Sequence, residues 1–238
     1  MASPVTPPVA PPVTLPVAPG DTTDDSPYHA GMRALQDRHD TRRLADRLDE
    51  RLGRAVFTEQ DRAFIESRTL FFLATADARG RPDCSYKGGA AGFVRLTGPG
   101  ELEFPSYDGN GQFRSLGHIG VNAAVGLLFI DFESPRRLRV NGDAVVLDDA
   151  DALARHPGAQ LVVRVRARRI FPNCPRYIHR SAGAMLSADV PRPGHVPPPA
   201  AWKSMAIVAD VLPGAAAAAA PGGAPGEAPE APGQAPTR

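Results

Sequence analysis

The sequence predicts a mainly β fold, an antiparallel barrel of six or seven strands with helices at its periphery. Short segments with apolar or alternating patterns recur between residues 70 and 170, as expected for strands. Most of the connections between them are short turns, whereas a parallel sheet requires long crossovers. A single helical pattern interrupts the series, directly after Phe104.

The composition places this fold between two tails. The 238 residues are 42% apolar and 22% charged, which fits one globular domain with additional segments. Residues 1–27 are built from Pro, Val, Ala and Thr and predict a disordered arm. Residues 213–238, rich in Ala, Pro and Gly, predict a disordered tail. The folded domain is therefore expected at residues 28–212.

Two helices are predicted before the first strand. Leu44, Leu48 and Leu52 recur at i, i+4 and i+8 among charged residues, which indicates an amphipathic helix with ion pairs on its wet side. Thr58 is followed three residues later by Asp61, which is typical of a capped helix start.

The strand series begins with LFFLA at residues 70–74, a continuous apolar run that is too short for a helix and indicates a buried strand. In the last segment Val163 and Val165 alternate with Arg164 and Arg166, the period of a strand with one buried face. The other predicted strands are CSYKGG after Pro82, then residues 93–96, 102–104, 125–132 and 138–147, with 161–170 as the last.

Residues 101–119 predict a strand, a turn and a helix start in direct succession. Leu102 and Phe104 alternate with acidic residues, and Pro105 is expected to end the strand. The DGNG sequence that follows supplies turn residues, with Asn110 predicted as the helix N-cap. The apolar residues at helical spacing after this turn are Phe113, Leu116 and Ile119.

This helix start is a candidate anion site. The first turn of a helix presents unpaired N–H groups and a partial positive charge, and Arg114 adds a full cation. The predicted phosphate ligands are Asn110, Arg114 and Ser115 together with backbone N–H groups. The alternative is a solvated Arg114 beside a capped helix, and the stretch by itself leaves both readings open.

Several classes of protein and site are not indicated. The net charge of +1 gives no indication of a nucleic-acid partner, and no apolar run approaches the roughly 20 residues of a membrane-spanning helix. The N-terminus lacks a signal-peptide pattern, so we expect a cytoplasmic protein with free thiols at Cys84 and Cys174. The six histidines are scattered, and no metal site or Ser/His/Asp set is predicted.

Three segments carry a resemblance to a known family. FLATADARGRPDCSYKGG, LEFPSYDGNGQFRSLGHI and VGLLFIDFESPRRLRVNGDAVV resemble, in order and spacing, the FMN-binding split barrel of the pyridoxamine 5'-phosphate oxidase family. The likeness covers about residues 58–180 and includes the bacterial flavin-nucleotide-binding proteins of that superfamily. It implies a split barrel, bound FMN and a homodimer with the flavin at its interface.

The resemblance also implies which residues contact the cofactor. The strand that lies along the flavin falls on Ser85, Tyr86, Lys87 and Gly88. The aromatic-plus-hydroxyl pair of the family falls on Pro105 and Ser106, an altered contact for which Tyr107 is expected to compensate. The phosphate-binding basic pair falls on Arg114 and Ser115, and Asn110 is expected to make up part of the lost charge.

Two further contacts are implied farther along the chain. The polar residue at the start of the RRLRVNG strand falls on Arg137. The nearby Arg136 and Arg139 are interpreted as solvated side chains. Asn173, next to Cys174 in FPNCP, is expected either to contact flavin from the partner subunit or to form a buried turn. The Trp- and Arg-containing ending of the biosynthetic oxidase does not align with this chain.

The resulting functional hypothesis is an FMN-dependent oxidoreductase that transfers hydride to a small-molecule substrate, with no catalytic residue assigned. FMN carries the hydride chemistry itself, so the absence of a catalytic set is not an objection. The alternative hypothesis is a non-catalytic module that holds FMN, a deazaflavin or haem as a sensor, store or carrier. A third class is an apo scaffold without a cofactor.

A homodimer is also predicted from the residues. The interior of a small barrel is filled by side chains, so a ligand as large as FMN must lie outside it against another surface. VGLLFIDF is apolar on both faces, as expected if one face meets a second subunit. In the competing interpretation, the helix around Leu44, Leu48 and Leu52 covers this strand within one chain.

Overall fold

The computed structural model describes residues 27–173, 178, 191–199 and 204. The chain divides into two units, Met1–Gly194 and His195–Arg238. Every helix and strand named below belongs to the first unit; of the second, only residues 195–199 and 204 are described. The predicted N-terminal arm, the C-terminal tail and Cys174 lie outside the described residues, apart from Pro27 at the end of the arm.

Five helices and seven strands make up the described fold. The helices are α1 Ala30–Arg38, α2 Arg42–Leu52, α3 Glu59–Glu66, α4 Arg114–Val121 and α5 Ala150–Arg155. The strands are β1 Leu70–Ala76, β2 Pro82–Gly88, β3 Arg95–Gly98, β4 Glu101–Tyr107, β5 Ala124–Asp131, β6 Arg136–Leu147 and β7 Ala159–Pro172. No described helix has the length and apolar character needed to cross a membrane.

The strands form one antiparallel sheet in the order β2-β1-β5-β6-β7-β4-β3. The prediction of a mainly β, antiparallel split barrel is confirmed. Each strand turns alternate residues toward a common core, as in β5, where Val125, Leu127 and Phe129 are buried. Phe71 of β1 lies at the centre, with its ring centroid 4.9 Å from that of Phe104 and 5.1 Å from that of Phe129.

One prediction about β4 is wrong. The strand does not end at Pro105, because Pro105 pairs with Val162 of β7 and the strand continues to Tyr107. Pairing of β3 with β4 ends at Glu103, so Pro105 lies where β4 has a neighbour on one side only. A sheet tolerates proline at such a position, because no strand on the open side requires the N–H donor that proline lacks.

The face of β4 opposite Leu102 and Phe104 carries a buried carboxylate. Glu103 is fully buried and accepts hydrogen bonds from the guanidinium groups of Arg155 at the end of α5 and Arg164 of β7. Burial would raise the pKa of Glu103, but the two arginines hold it below its ordinary value. The neighbouring His156 is also buried, and burial lowers its pKa. This ion network holds α5 against the sheet.

The helices before β1 follow the sequence pattern in part. Thr58 and Asp61 form the predicted capping box, and Asp61 is held further by Arg54 at 2.5 Å. The predicted amphipathic helix is α2, which contacts α1 and β7. Its leucine face is not covered in the monomer, because Leu44 is 58% exposed and Leu48 is 48% exposed. The interpretation that this helix covers β5 is therefore not the arrangement observed.

Candidate functional site

The register between β1 and β2 separates the side chains of β2 into two sets. Asp83, Ser85 and Lys87 pair with Thr75, Leu73 and Phe71, which are all buried in the core. These three β2 side chains therefore lie on the core side of an edge strand. Tyr86 pairs with Phe72 on the opposite face, where their ring centroids are 6.2 Å apart, and it is 61% exposed.

The helix start near these residues differs from the predicted one. The N-cap is Phe113, not Asn110, and α4 begins at Arg114. Asn110 instead stabilises the preceding turn, because its Oδ1 accepts a hydrogen bond from the Gln112 N–H at 3.1 Å. Phe113 has φ of 46°, a left-handed conformation that is strained for a bulky residue, and its side chain is 49% exposed.

Helix α4 is fixed by its buried face. Leu116 and Ile119 enter the core, and the hydroxyl of the buried Thr75 lies 3.0 Å from Nδ1 of His118. Because this contact ties α4 to β1, the first turn of the helix is held beside β2. The first N–H groups of α4 have no acceptor within the helix, as at every helix start.

A cavity of about 260 Å³ lies between β2, the end of β4, the following turn and the start of α4. Its residues are distant in sequence but adjacent in the fold. The lining residues are Asp83, Ser85, Lys87, Ser106, Tyr107, Gly109, Asn110, Gly111, Phe113, Arg114, Ser115 and Leu116. We call this space the α4 cavity.

Hydrogen bonds at the floor of the α4 cavity connect strand and helix. Ser115 is 5% exposed, and its Oγ lies 3.0 Å from Oγ of Ser85. The Lys87 ammonium donates to the same Ser115 oxygen at 3.4 Å. Lys87 is thus held at the cavity and is only partly exposed to solvent.

The electrostatics of the α4 cavity combine two cations and one carboxylate. Burial lowers the pKa of Lys87, and the nearby Asp83 carboxylate offsets part of this shift. Arg114 is more accessible, with a 66% exposed side chain, and its Nε lies 3.7 Å from Oδ2 of Asp83. Burial raises the pKa of Tyr107 and so favours the neutral phenol, whereas the nearby Arg95 has the opposite, smaller effect.

A second cavity, of about 320 Å³, lies on the opposite face of the sheet across β2, β1, β5 and β6. Nε of Arg137 is buried there without a hydrogen-bond partner among the described residues. Arg139 stacks on Phe171 at 5.2 Å from its ring centroid. The lining residues are Phe72, Ala74, Cys84, Gly126, Leu127, Leu128, Arg137, Arg139, Asn141 and Asn173. We call this space the outer-face cavity.

The twelve residues predicted to contact a cofactor fall into three groups. Seven line the α4 cavity, namely Ser85, Lys87, Ser106, Tyr107, Asn110, Arg114 and Ser115. Arg137 and Asn173 line the outer-face cavity. Tyr86, Gly88 and Pro105 line neither of these two cavities. Tyr86 lies beside Phe72 on the outer face, and Pro105 is buried inside β4.

Sequence reasoning missed some of the lining residues. Asp83 was not predicted, although strand alternation places it on the same face as Ser85 and Lys87. Phe113 was assigned to the buried face of the helix, whereas it caps the helix at the cavity. The left-handed backbone of Phe113 has no signal in the sequence, because that conformation is usually adopted by Gly or Asn.

The chemistry of the α4 cavity suits an anion. Lys87, Arg114, the hydroxyls of Ser85 and Ser106 and the N–H groups at the start of α4 are all donors. A phosphate group accepts such hydrogen bonds from every side. In the described part of the chain, no three His, Cys, Asp or Glu side chains are grouped so that they could hold a metal ion.

Comparisons with known proteins agree with the fold. A family model described as pyridoxamine 5'-phosphate oxidase matches residues 57–182, more than half of the chain. The comparison with curated proteins found no match.

Solved structures of several bacterial proteins are also similar. HupZ of Group A Streptococcus is 23% identical, with a TM-score of 0.40, and the match covers 53% of this chain and 99% of HupZ. A Lactobacillus delbrueckii protein proposed to be a pyridoxamine 5'-phosphate oxidase is 25% identical over 50% of this chain and 95% of its own, with a TM-score of 0.40. An FMN-binding protein of Syntrophomonas wolfei is 12% identical over 58% of this chain and 96% of its own, with a TM-score of 0.39.

Proposed function

Because the chain belongs to the pyridoxamine 5'-phosphate oxidase family, we propose that it binds FMN and transfers hydride through the flavin to a small-molecule substrate. One observation carries this proposal. Seven residues predicted as cofactor contacts, from two separate segments of the chain, line a single cavity that is rich in donors. An apo scaffold has no need for a half-buried lysine at a cavity beside a helix start.

The α4 cavity is the proposed phosphate end of the flavin site. Lys87 is held on Ser115 at the floor, and Arg114 lies at the rim. A phosphate between them would receive two charge-assisted interactions in addition to the N–H groups of α4. The same phosphate would also compensate the cost of burying the Lys87 charge, which is the cause of its lowered pKa.

The outer-face cavity is the proposed ring end, contributed by a second copy of the chain. The two cavities share no lining residue, and their β2 side chains point to opposite faces of that strand. Phe72, Leu128 and the exposed Tyr86 give the outer face an apolar surface for a partner. In a twofold dimer each subunit presents the same surface, so two complete sites form at one interface.

The bound flavin supplies the hydride chemistry, and the protein supplies orientation and charge. Arg137 has a buried Nε that is available to donate to an acceptor on the ring. Its positive charge would favour the reduced, more electron-rich state of the cofactor. Tyr107, kept neutral by its raised pKa, is a hydrogen-bond donor at the edge of the α4 cavity.

The absorbance spectrum of the purified protein is the first test. Oxidised flavin, deazaflavin and haem have distinct spectra, so the spectrum identifies the cofactor class directly. Oxidation of NAD(P)H by the holoprotein, faster than by the same concentration of free FMN, is expected if the protein is an oxidoreductase. A flavin-loaded protein with no such excess would support the sensor, store or carrier function, and a haem spectrum would refute the FMN proposal.

Mixed dimers test whether the site is shared between subunits. Lys87→Met damages the phosphate end, and Arg137→Met damages the ring end. If both ends come from one chain, a mixture of the two variants binds no more FMN than the variants do separately. If they come from two chains, unfolding and refolding the mixture should restore tight binding at about one quarter of all sites, because half of the dimers are mixed and each has one intact site.

A further inference from the structure

The α4 cavity contains a carboxylate that the proposed phosphate does not need. Asp83 lines the cavity on the same face of β2 as Ser85 and Lys87, and its side chain is 26% exposed. Its Oδ2 lies 3.7 Å from Nε of Arg114, so it competes with an anionic ligand for that cation. Asp83 also acts on Lys87, whose charged form it favours.

The charge balance of the cavity follows from these three groups. Asp83, Lys87 and Arg114 are the only charged residues among the twelve that line it, and together they carry a formal charge of +1. A phosphate monoester carries about −1.5 to −2 at pH 7. The cavity therefore has less positive charge than a doubly charged ligand requires, and the carboxylate lies where it repels such a ligand.

We propose that Asp83 is a specificity-determining residue, which biases the α4 cavity toward a singly charged anionic group and against a phosphate monoester dianion. A phosphodiester is the natural example of such a group. This inference rests on the proposed function, because it concerns the phosphate end of the same flavin site. It adds that FMN binds less tightly than the donors of the cavity would otherwise allow.

The repulsion should scale with ligand charge, which defines the experiment. Three ligands differ at the phosphate alone: riboflavin is neutral there, the monomethyl ester of FMN carries one negative charge, and FMN carries almost two at pH 7. Dissociation constants are measured by fluorescence titration of wild-type protein, Asp83→Asn and Asp83→Glu. The Glu variant keeps the charge and serves as the matched control.

The expected result is a gain in affinity that grows with the negative charge of the ligand. In Asp83→Asn, FMN should bind about 10-fold more tightly, the methyl ester about 3-fold more tightly and riboflavin with unchanged affinity; 10-fold corresponds to about 1.4 kcal/mol. Asp83→Glu should keep the wild-type order of affinities. Circular dichroism melting curves check that both variants are folded.

Two results would overturn the inference while leaving the proposed function intact. Equal changes for all three ligands would mean that Asp83 acts on shape and not on charge. Weaker FMN binding in Asp83→Asn would mean that Asp83 serves to keep Lys87 protonated or Arg114 in place. Failure of wild type and both variants to bind any of the three ligands would refute the proposed function itself.

Discussion

Replacement of Lys87 by methionine should weaken FMN binding more than any other single change in the α4 cavity. Methionine has a similar length and no charge, so the variant removes the ammonium without opening a large void. The structure places Lys87 Nζ 3.4 Å from Ser115 Oγ at the cavity floor, where water screens it poorly. Loss of a charge-assisted hydrogen bond of this kind costs about 1.5–3 kcal/mol, or roughly 10- to 150-fold in affinity.

Arg114→Met is the matched comparison. Arg114 also faces the cavity, but its side chain is 66% exposed and shared with Asp83. Solvent screening limits such a group to at most about 1 kcal/mol, roughly fivefold. Titration of each apoprotein with FMN and with riboflavin separates the phosphate contribution from that of the ring. The reasoning is refuted if Arg114→Met is the more damaging change, or if Lys87→Met weakens riboflavin binding as much as FMN binding.

The pH dependence of FMN binding gives an independent test of the same residue. Burial lowers the pKa of Lys87 from its ordinary value of 10.5, so in the apoprotein the charge is lost at a lower pH than that of a solvated lysine. The affinity for FMN relative to that for riboflavin at the same pH should therefore fall as pH rises through this lowered pKa. Lys87→Met should show no such fall. A wild-type profile that stays flat up to pH 10.5 would contradict the assignment.

Three further predictions concern stability and assembly. Glu103→Gln should lower the free energy of unfolding at pH 7 by about 2–3 kcal/mol, the low end for a broken buried ion pair because its arginine partners are 37% exposed. Because the pKa of Glu103 is depressed in the folded state, this stabilisation is fully present above pH 4.5 and is lost as the pH falls through the folded-state pKa. The free energies of unfolding of wild type and variant, measured in urea, should therefore converge in acid. Phe113→Asn should raise the free energy of unfolding by roughly 0.5–1 kcal/mol, since asparagine tolerates the left-handed conformation; a lower melting temperature would contradict this. Leu128→Asp on the outer face should reduce the mass from light scattering to that of one chain, 25.2 kDa, and lower the flavin content together with it; an unchanged mass would argue against this face as the interface.

Much of the fold could be predicted from the sequence because the relevant signals are local. The apolar run at 70–74 and the alternation around Val163 each fix a strand by its own period. The capping box at Thr58 forms from residues three apart, so the helix start can be read directly. The order of the motifs indicated the family, which implied Lys87 as a contact along the flavin and Arg114 as a phosphate-end residue.

The wrong predictions applied a local sequence rule at positions where the outcome depends on other strands or helices. Proline usually ends a strand, but Pro105 is accommodated because β3 stops pairing at Glu103, which only the arrangement of three strands decides. The leucine stripe of α2 has the pattern of a buried face. Leu44 and Leu48 nevertheless remain exposed, because the helix contacts β7 and does not cover β5. A periodic pattern identifies an apolar face without saying what covers it.

The sequence by itself determined the class of fold, the donor-rich helix start and the presence of Lys87 on a strand, since each depends on neighbouring residues. The tertiary structure alone decided how these parts combine. Pairing with β1 turned the face that carries Asp83 and Lys87 toward the core and turned Tyr86 away from it, and the docking of α4 placed Ser115 beside the lysine. Burial, charge balance and cavity shape depend on segments about 30 residues apart in the chain, and no local pattern encodes the distance between them.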